Sequence, residues 1–171
     1  YNGQYIFTKD KVLSASPIDK KNLHDLIDYA KNHRIEIALG TEDGVEGSRI
    51  MNFGLSPISL WSARFVPKGF SKAVSQGFNK VVSKAVPQDQ KQLQQIAQGP
   101  VYQVLLLASP KDTQKVEQAF PELKFTRSSP FAADVINPDN SKMEGIRIVG
   151  EEFGFSMDQV MAFGDSDNDL E

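Results

Sequence analysis

The chain has 171 residues, 40% hydrophobic and 24% charged, with a formal charge of -3 at pH 7. That is enough to bury a core in one or two domains, and the charge argues against a dedicated polyanion binder, so no nucleic acid partner is expected. Cysteine is absent, which excludes a disulfide framework, a thiolate zinc site and a cysteine nucleophile. No run approaches a membrane span, and Tyr1 to Lys11 carry no basic-then-apolar leader. The expectation is a cytoplasmic protein with no membrane partner.

Gln4 to Thr8 and Lys11 to Ala15 are β-favouring runs around Lys9-Asp10, a predicted hairpin. Pro17 and Asp19 then open an amphipathic helix on which Leu23, Leu26, Ile27 and Ala30 recur at helical spacing. Ile35 to Leu39 alternates as a strand, closed by Gly40 and the turn Glu42-Asp43-Gly44. From Gly47 to Gln88 the pattern is interrupted by Pro57, Pro67, Gly69 and Gly77, and the reading is mostly helical. Arg49, Arg64, Lys68, Lys72, Lys80 and Lys84 lie there with no acid between Glu46 and Asp89. A solvated basic face is the first reading of that run, and an anion-attracting patch is the alternative.

Gln90 to Gln98 is a glutamine-rich helix, and Tyr102 to Ala108 is a continuous apolar strand, predicted to be buried on both faces. Ser109-Pro110 starts another helix, with Val116, Ala119 and Phe120 on its apolar side. Leu123 to Arg127 and Ala132 to Ile136 read as an antiparallel pair. The turn cluster Asn137 to Asn140 is a hinge candidate, followed by a helix from Met143 to its stop at Gly154 and a strand from Gln159 to Phe163. His24 and His33 have no partner in sequence and are assigned to packing or surface roles.

That last strand ends in Gly164-Asp-Ser-Asp-Asn-Asp169. Asp165, Asp167 and Asp169 repel one another unless a cation or hydrogen-bond donors hold them together, and oxygen donors suit a hard divalent cation. A calcium loop of the D-x-D-x-D type needs Gly at its sixth position and Glu at its twelfth, whereas Leu170 is sixth and Glu171 ends the sequence. A solvated acidic turn is the plain alternative.

Lys142, followed by one helix, one strand and Gly164, Asp165, Asn168 and Asp169, resembles the third and fourth motifs of the haloacid dehalogenase (HAD) superfamily. Asn140 to Ile146, Phe153-Gly-Phe155 and the hairpin at Asn2 to Ile6 are similar, more narrowly, to the Cof-type phosphatases. The resemblance implies an α/β fold: a large cap domain, an antiparallel sheet with helices, inserted in a partial Rossmann-like core. It implies core pieces at 1–16 and 138–171 around a cap at 17–137. It further implies Mg²⁺ held by Asp165 and Asp169, Asn168 donating to the phosphate or the nucleophile, and Lys142 neutralising both. A small phosphorylated metabolite such as a sugar phosphate is the implied substrate, and an aspartyl phosphate the implied intermediate.

The family's first motif, D-x-D-x-T, carries the nucleophile and the acid/base aspartate, and it is not in the sequence; Asp43, Asp134 and Asp139 lack its partner residues. The expectation is therefore a fragment without the first two motifs and without turnover of its own. A non-enzymatic α/β module binding a cation or a partner is the competing reading.

Overall fold

The computed structural model describes residues 1–47, 90–129, 132–164 and 169. The hairpin forms as expected: β1 (Tyr5–Phe7) and β2 (Val12–Ala15) pair antiparallel. Thr8 closes it, its hydroxyl oxygen accepting from the backbone N–H groups of Asp10 and Lys11 at 3.3 and 3.1 Å. Helix α1 (Lys20–Asn32) starts where the Asp19 carboxylate accepts from the N–H groups of Lys21 and Asn22, satisfying two donors that have no partner within the helix. Its buried residues are Leu23, Leu26, Ile27 and Ala30, the stripe read from the sequence.

Strand β3 (Glu36–Thr41) runs on through Gly40, and the Glu42-Asp43 turn returns it as β4 (Gly44–Glu46), a strand the sequence reading did not separate from its turn. The predicted helix, strand and helix that follow the undescribed stretch are α2 (Gln90–Ile96), β5 (Gln103–Leu107) and α3 (Pro110–Ala119). Ser109 caps α3 by accepting from Asp112 N–H, with Pro110 at the start of the helix. Strands β6 (Lys124–Ser129) and β7 (Ala132–Ile136) complete a sheet of order β4-β3-β5-β7-β6, antiparallel throughout. The α/β class with an antiparallel, helix-covered sheet is thus observed. The mostly helical reading of Gly47 to Gln88, with its basic residues, lies outside the described residues.

Helices α1, α2 and α3 cover one face of the sheet, where Leu23, Leu26, Leu93, Val116, Ile37, Val104, Leu106 and Val135 form a continuous core. Burial of β5 on both faces does not hold. Val104 and Leu106 are fully buried, whereas Gln103, Leu105 and Leu107 on the other face are half-buried. Among the described residues, helices pack on the first face only, and the hairpin with Tyr1 covers part of the second: a Cβ at Gly40 would lie 2.6 Å from the Tyr1 ring. His24 and His33 pack as expected, His24 against the Gln94 amide and His33 stacked on Tyr29 at 3.9 Å.

Tyr102, just before β5, is 2% exposed, rests against Tyr5 at 4.6 Å and donates its hydroxyl to Glu42 at 3.0 Å. Burial, reinforced by that carboxylate, pushes its phenol from the ordinary 10.0 up to about 12. The fold therefore favours the neutral phenol, and this stabilisation is complete below pH 10.0 and lost as pH rises through about 12. Tyrosinate absorbance, compared with Tyr102→Phe, should show Tyr102 ionising well above 10.0, together with alkaline unfolding. Its ionisation near 10.0, with no change in stability, would contradict the geometry.

Helix α4 (Lys142–Phe153) begins with the Ser141 hydroxyl accepting from Glu144 N–H and stops, as read, at Gly154 in the left-handed conformation (φ 74°). Only Gly145 and Gly150 of this helix are buried; Met143 and Phe153 are 49% and 62% exposed. The strand expected from Gln159 to Phe163 is absent. Met157–Gln159 is a single 3₁₀ turn, Val160 is extended, and Met161 and Phe163 are 81% and 90% exposed. Apolar alternation alone does not make a strand: the backbone needs a neighbouring ladder, and among the described residues none runs beside this segment.

Candidate active site

Position 142 is set by close backbone contacts. A Cβ on Gly3 (φ +85°) would fall 2.0 Å from the Ser141 carbonyl oxygen, and one on Gly145 would fall 3.4 Å from the Gly3 Cα. The hairpin's N-terminal approach and the first turn of α4 therefore touch where neither carries a side chain. Lys142, the first residue of α4, extends its ammonium to the Asp169 carboxylate, 27 residues further along the chain. Gly164 makes that return possible, since a Cβ there would lie 2.3 Å from Asp169 Cβ. The pair is partly open to solvent, with side chains 42% and 20% exposed.

Lys142 borders a cleft of about 530 Å³ between the hairpin and α4, lined also by Tyr1, Asn2, Gly3, Ile6 and Gly145. A second polar group adjoins it. The Asp134 carboxylate, 8% exposed, accepts from Gln103 Nε2 at 2.7 Å and from Asn2 Nδ2 at 3.3 Å. Asn2 lines the cleft together with Lys142 and bonds Asp134, so the three share one neighbourhood.

Beneath the cleft, Gln4 is fully buried and its amide joins three segments, donating to the Tyr102 carbonyl and accepting from Asn137 N–H. The Asn137 side chain donates in turn to the carbonyls of Ser16 and Pro17 at 3.2 and 3.1 Å, tying together the two places where the chain passes between hairpin and sheet.

Of the residues singled out in the sequence, Lys142 and Asp169 come together; Asp165 and Asn168 lie outside the described residues. Sequence reading missed Asn2, Gln4, Gln103 and Asn137 as partners, and passed over Asp134 for want of motif neighbours. A signal for Asp134 was present, because it is an acid inside the apolar strand Ala132–Ile136 and such a group needs buried donors. Asp169 supplies carboxylate oxygens of the kind a hard cation takes, and among the described residues no group of three His, Cys, Asp or Glu is arranged around a metal position. No helix among the described residues is long and apolar enough to cross a membrane.

Comparison with known proteins agrees with this architecture. YkrA of Bacillus subtilis (strain 168), named as a phosphatase, is 23% identical over 171 residues, all of this chain and 58% of that protein. Among solved structures, the HAD subclass IIB sugar phosphatase BT4131 superimposes with a TM-score of 0.68 at 20% identity, over 98% of this chain and 56% of its own. BT1666 from Bacteroides thetaiotaomicron gives 0.68 at 20% identity, over 99% and 56%. The chain thus spans a little over half the length of these relatives. The family model described as haloacid dehalogenase-like hydrolase matches residues 1–171, the whole of the sequence in which Lys142 and Asp169 meet, and the chain belongs to that family.

Proposed function

We propose that the full-length protein is a Mg²⁺-dependent phosphatase of a small phosphorylated metabolite, such as a sugar phosphate, working in the cytoplasm through an aspartyl phosphate. The observation that carries the reading is the Lys142–Asp169 pair, a cation from the start of one helix and a carboxylate from the acidic turn meeting beside an open cleft. Family membership and the likeness to BT4131, a HAD subclass IIB sugar phosphatase, support it.

In this reading Asp165 and Asp169 hold Mg²⁺, which when bound withdraws negative charge from the phosphoryl oxygens. Lys142 neutralises the nucleophile and the phosphate together, and Asn168 donates a hydrogen bond beside them. Phosphoryl transfer of this kind draws on positioning and positive charge more than on covalent help, which is what a lysine fixed at a helix start supplies. The nucleophilic aspartate would stand outside these 171 residues, since no D-x-D-x-T occurs in them. The division into core pieces 1–16 and 138–171 around a cap at 17–137 belongs to the same proposal. It is supported by the Asn137 side chain, which stands in one crossing segment and bonds the other at Ser16 and Pro17. A cap so hinged excludes water and meets the leaving group.

Phosphate release tests the proposal. The full-length protein should hydrolyse sugar phosphates and a generic aryl phosphate with Mg²⁺, and lose turnover with a chelator or with Asp165→Ala, while the 171-residue chain alone releases none. Metal-independent turnover, or turnover by the 171-residue chain, would overturn it.

A further inference from the structure

Asp134 is an acid in the middle of β7, between core residues Ala133 and Val135, and it lies opposite Leu105 on β5 and Thr126 on β6. A carboxylate so enclosed is tolerable only with donors on it. One donor, Gln103, belongs to the same sheet. The other, Asn2, does not: it sits in the segment whose next residue touches Ser141 at the start of α4. Gln4 N–H bonds the Tyr1 carbonyl at 2.9 Å, closing a turn whose two central residues, Asn2 and Gly3, have φ of 47° and 85°. Asparagine tolerates that left-handed conformation better than most side chains. Three consecutive residues therefore meet three elements. Asn2 reaches the sheet at Asp134, Gly3 abuts the first turn of α4, and Gln4 bonds the linker at Asn137 and the residue before β5.

We infer that Asp134 is a positioning residue which, through Asn2, fixes the open face of the five-stranded sheet relative to the cleft that Lys142 borders. It touches neither phosphate nor metal. Its effect is on how the sheet sits over whatever group the phosphate leaves behind. The kinetic side of this inference rests on the phosphatase reading; the mechanical side does not.

The test uses the full-length protein with Asn2→Gly, which keeps the left-handed backbone available and removes the donor. Amide hydrogen exchange over residues 136–146 should quicken by about fivefold, the order expected for loss of one modest hydrogen bond. KM for a sugar phosphate should rise by about as much, with kcat and inhibition by inorganic phosphate unchanged. Asp134→Asn should act in the same direction. The double exchange Asn2→Asp with Asp134→Asn returns one amide donor and one carboxylate acceptor with roles reversed, and should restore both readouts. Unchanged exchange in Asn2→Gly, or failure of the double exchange to restore it, overturns the inference. If the wild-type protein releases no phosphate, the phosphatase reading fails while the exchange measurement still decides on Asp134. If Asp134→Asn does not fold, Asn2→Gly decides alone.

Discussion

Lys142→Ala in the full-length protein is expected to lower kcat/KM for a phosphate monoester by about 1000-fold while leaving the fold intact, to be checked by phosphate release beside a thermal melt. The first expectation follows from what one preorganised charge contributes where negative charge develops, about 3 to 4 kcal/mol when a single such group is removed. The second follows from the exposure of its partner pair, 42% and 20%: an ion pair this open contributes at most about 1 kcal/mol to stability. Lys142→Arg should not rescue, because a planar fork does not replace a compact ammonium that faces Asp169 and, in the proposed site, the phosphate as well. Activity within tenfold of wild type would remove Lys142 from the phosphate site.

Gln4→Leu should have the largest effect on stability, destabilising by about 3 kcal/mol in urea denaturation of the full-length protein. Leucine fills similar space but leaves the Asn137 N–H and the Tyr102 carbonyl without the side chain that bonds them. Gln4 is fully buried, so each orphaned group loses its partner where water does not reach the side chain's position, at about 1 to 3 kcal/mol apiece. Lys21→Ala, which removes an exposed pair with Asp25 on α1, is the control and should cost no more than about 0.5 kcal/mol. Equal effects of the two substitutions would mean that the Gln4 amide is not bridging those segments.

The contrast between these residues marks what the sequence made legible. Helices α1 and α3 were readable because their starts, Asp19 and Ser109-Pro110, and the apolar spacing on α1 are local properties of the chain. The hairpin and the β6–β7 pair were readable because each pairs strands that are close in sequence. Lys142 and Asp169 were found through their motif, and their meeting depends on Gly164 allowing the chain to double back. The one-sided cover of β5 was not legible, because an apolar run does not reveal on which face the helices pack. The failed strand at Gln159 to Phe163 has the same origin, since its pattern was right but pairing is supplied by other chain segments. Gln4, Asn137 and Asp134 escaped because their partners lie 31 to 133 residues away, and nothing local names such a partner.

Helix α4 buries Gly145 against the Gly3 backbone and Gly150 against its own return at Phe155, rather than its larger apolar side chains. At Gly150 a Cβ would come within 2.8 Å of the Phe155 carbonyl oxygen, just as Gly3 leaves no room against Ser141. Contact between main chains has a tolerance of a fraction of an ångström and does not depend on which side chains stand elsewhere on the helix. The location of the ammonium at position 142 is thereby decoupled from the chemistry of the outer surface. Met143, Arg147 and Phe153, all exposed, can be exchanged without moving it, while Gly3 and Gly150, where a Cβ would overlap a carbonyl oxygen, cannot.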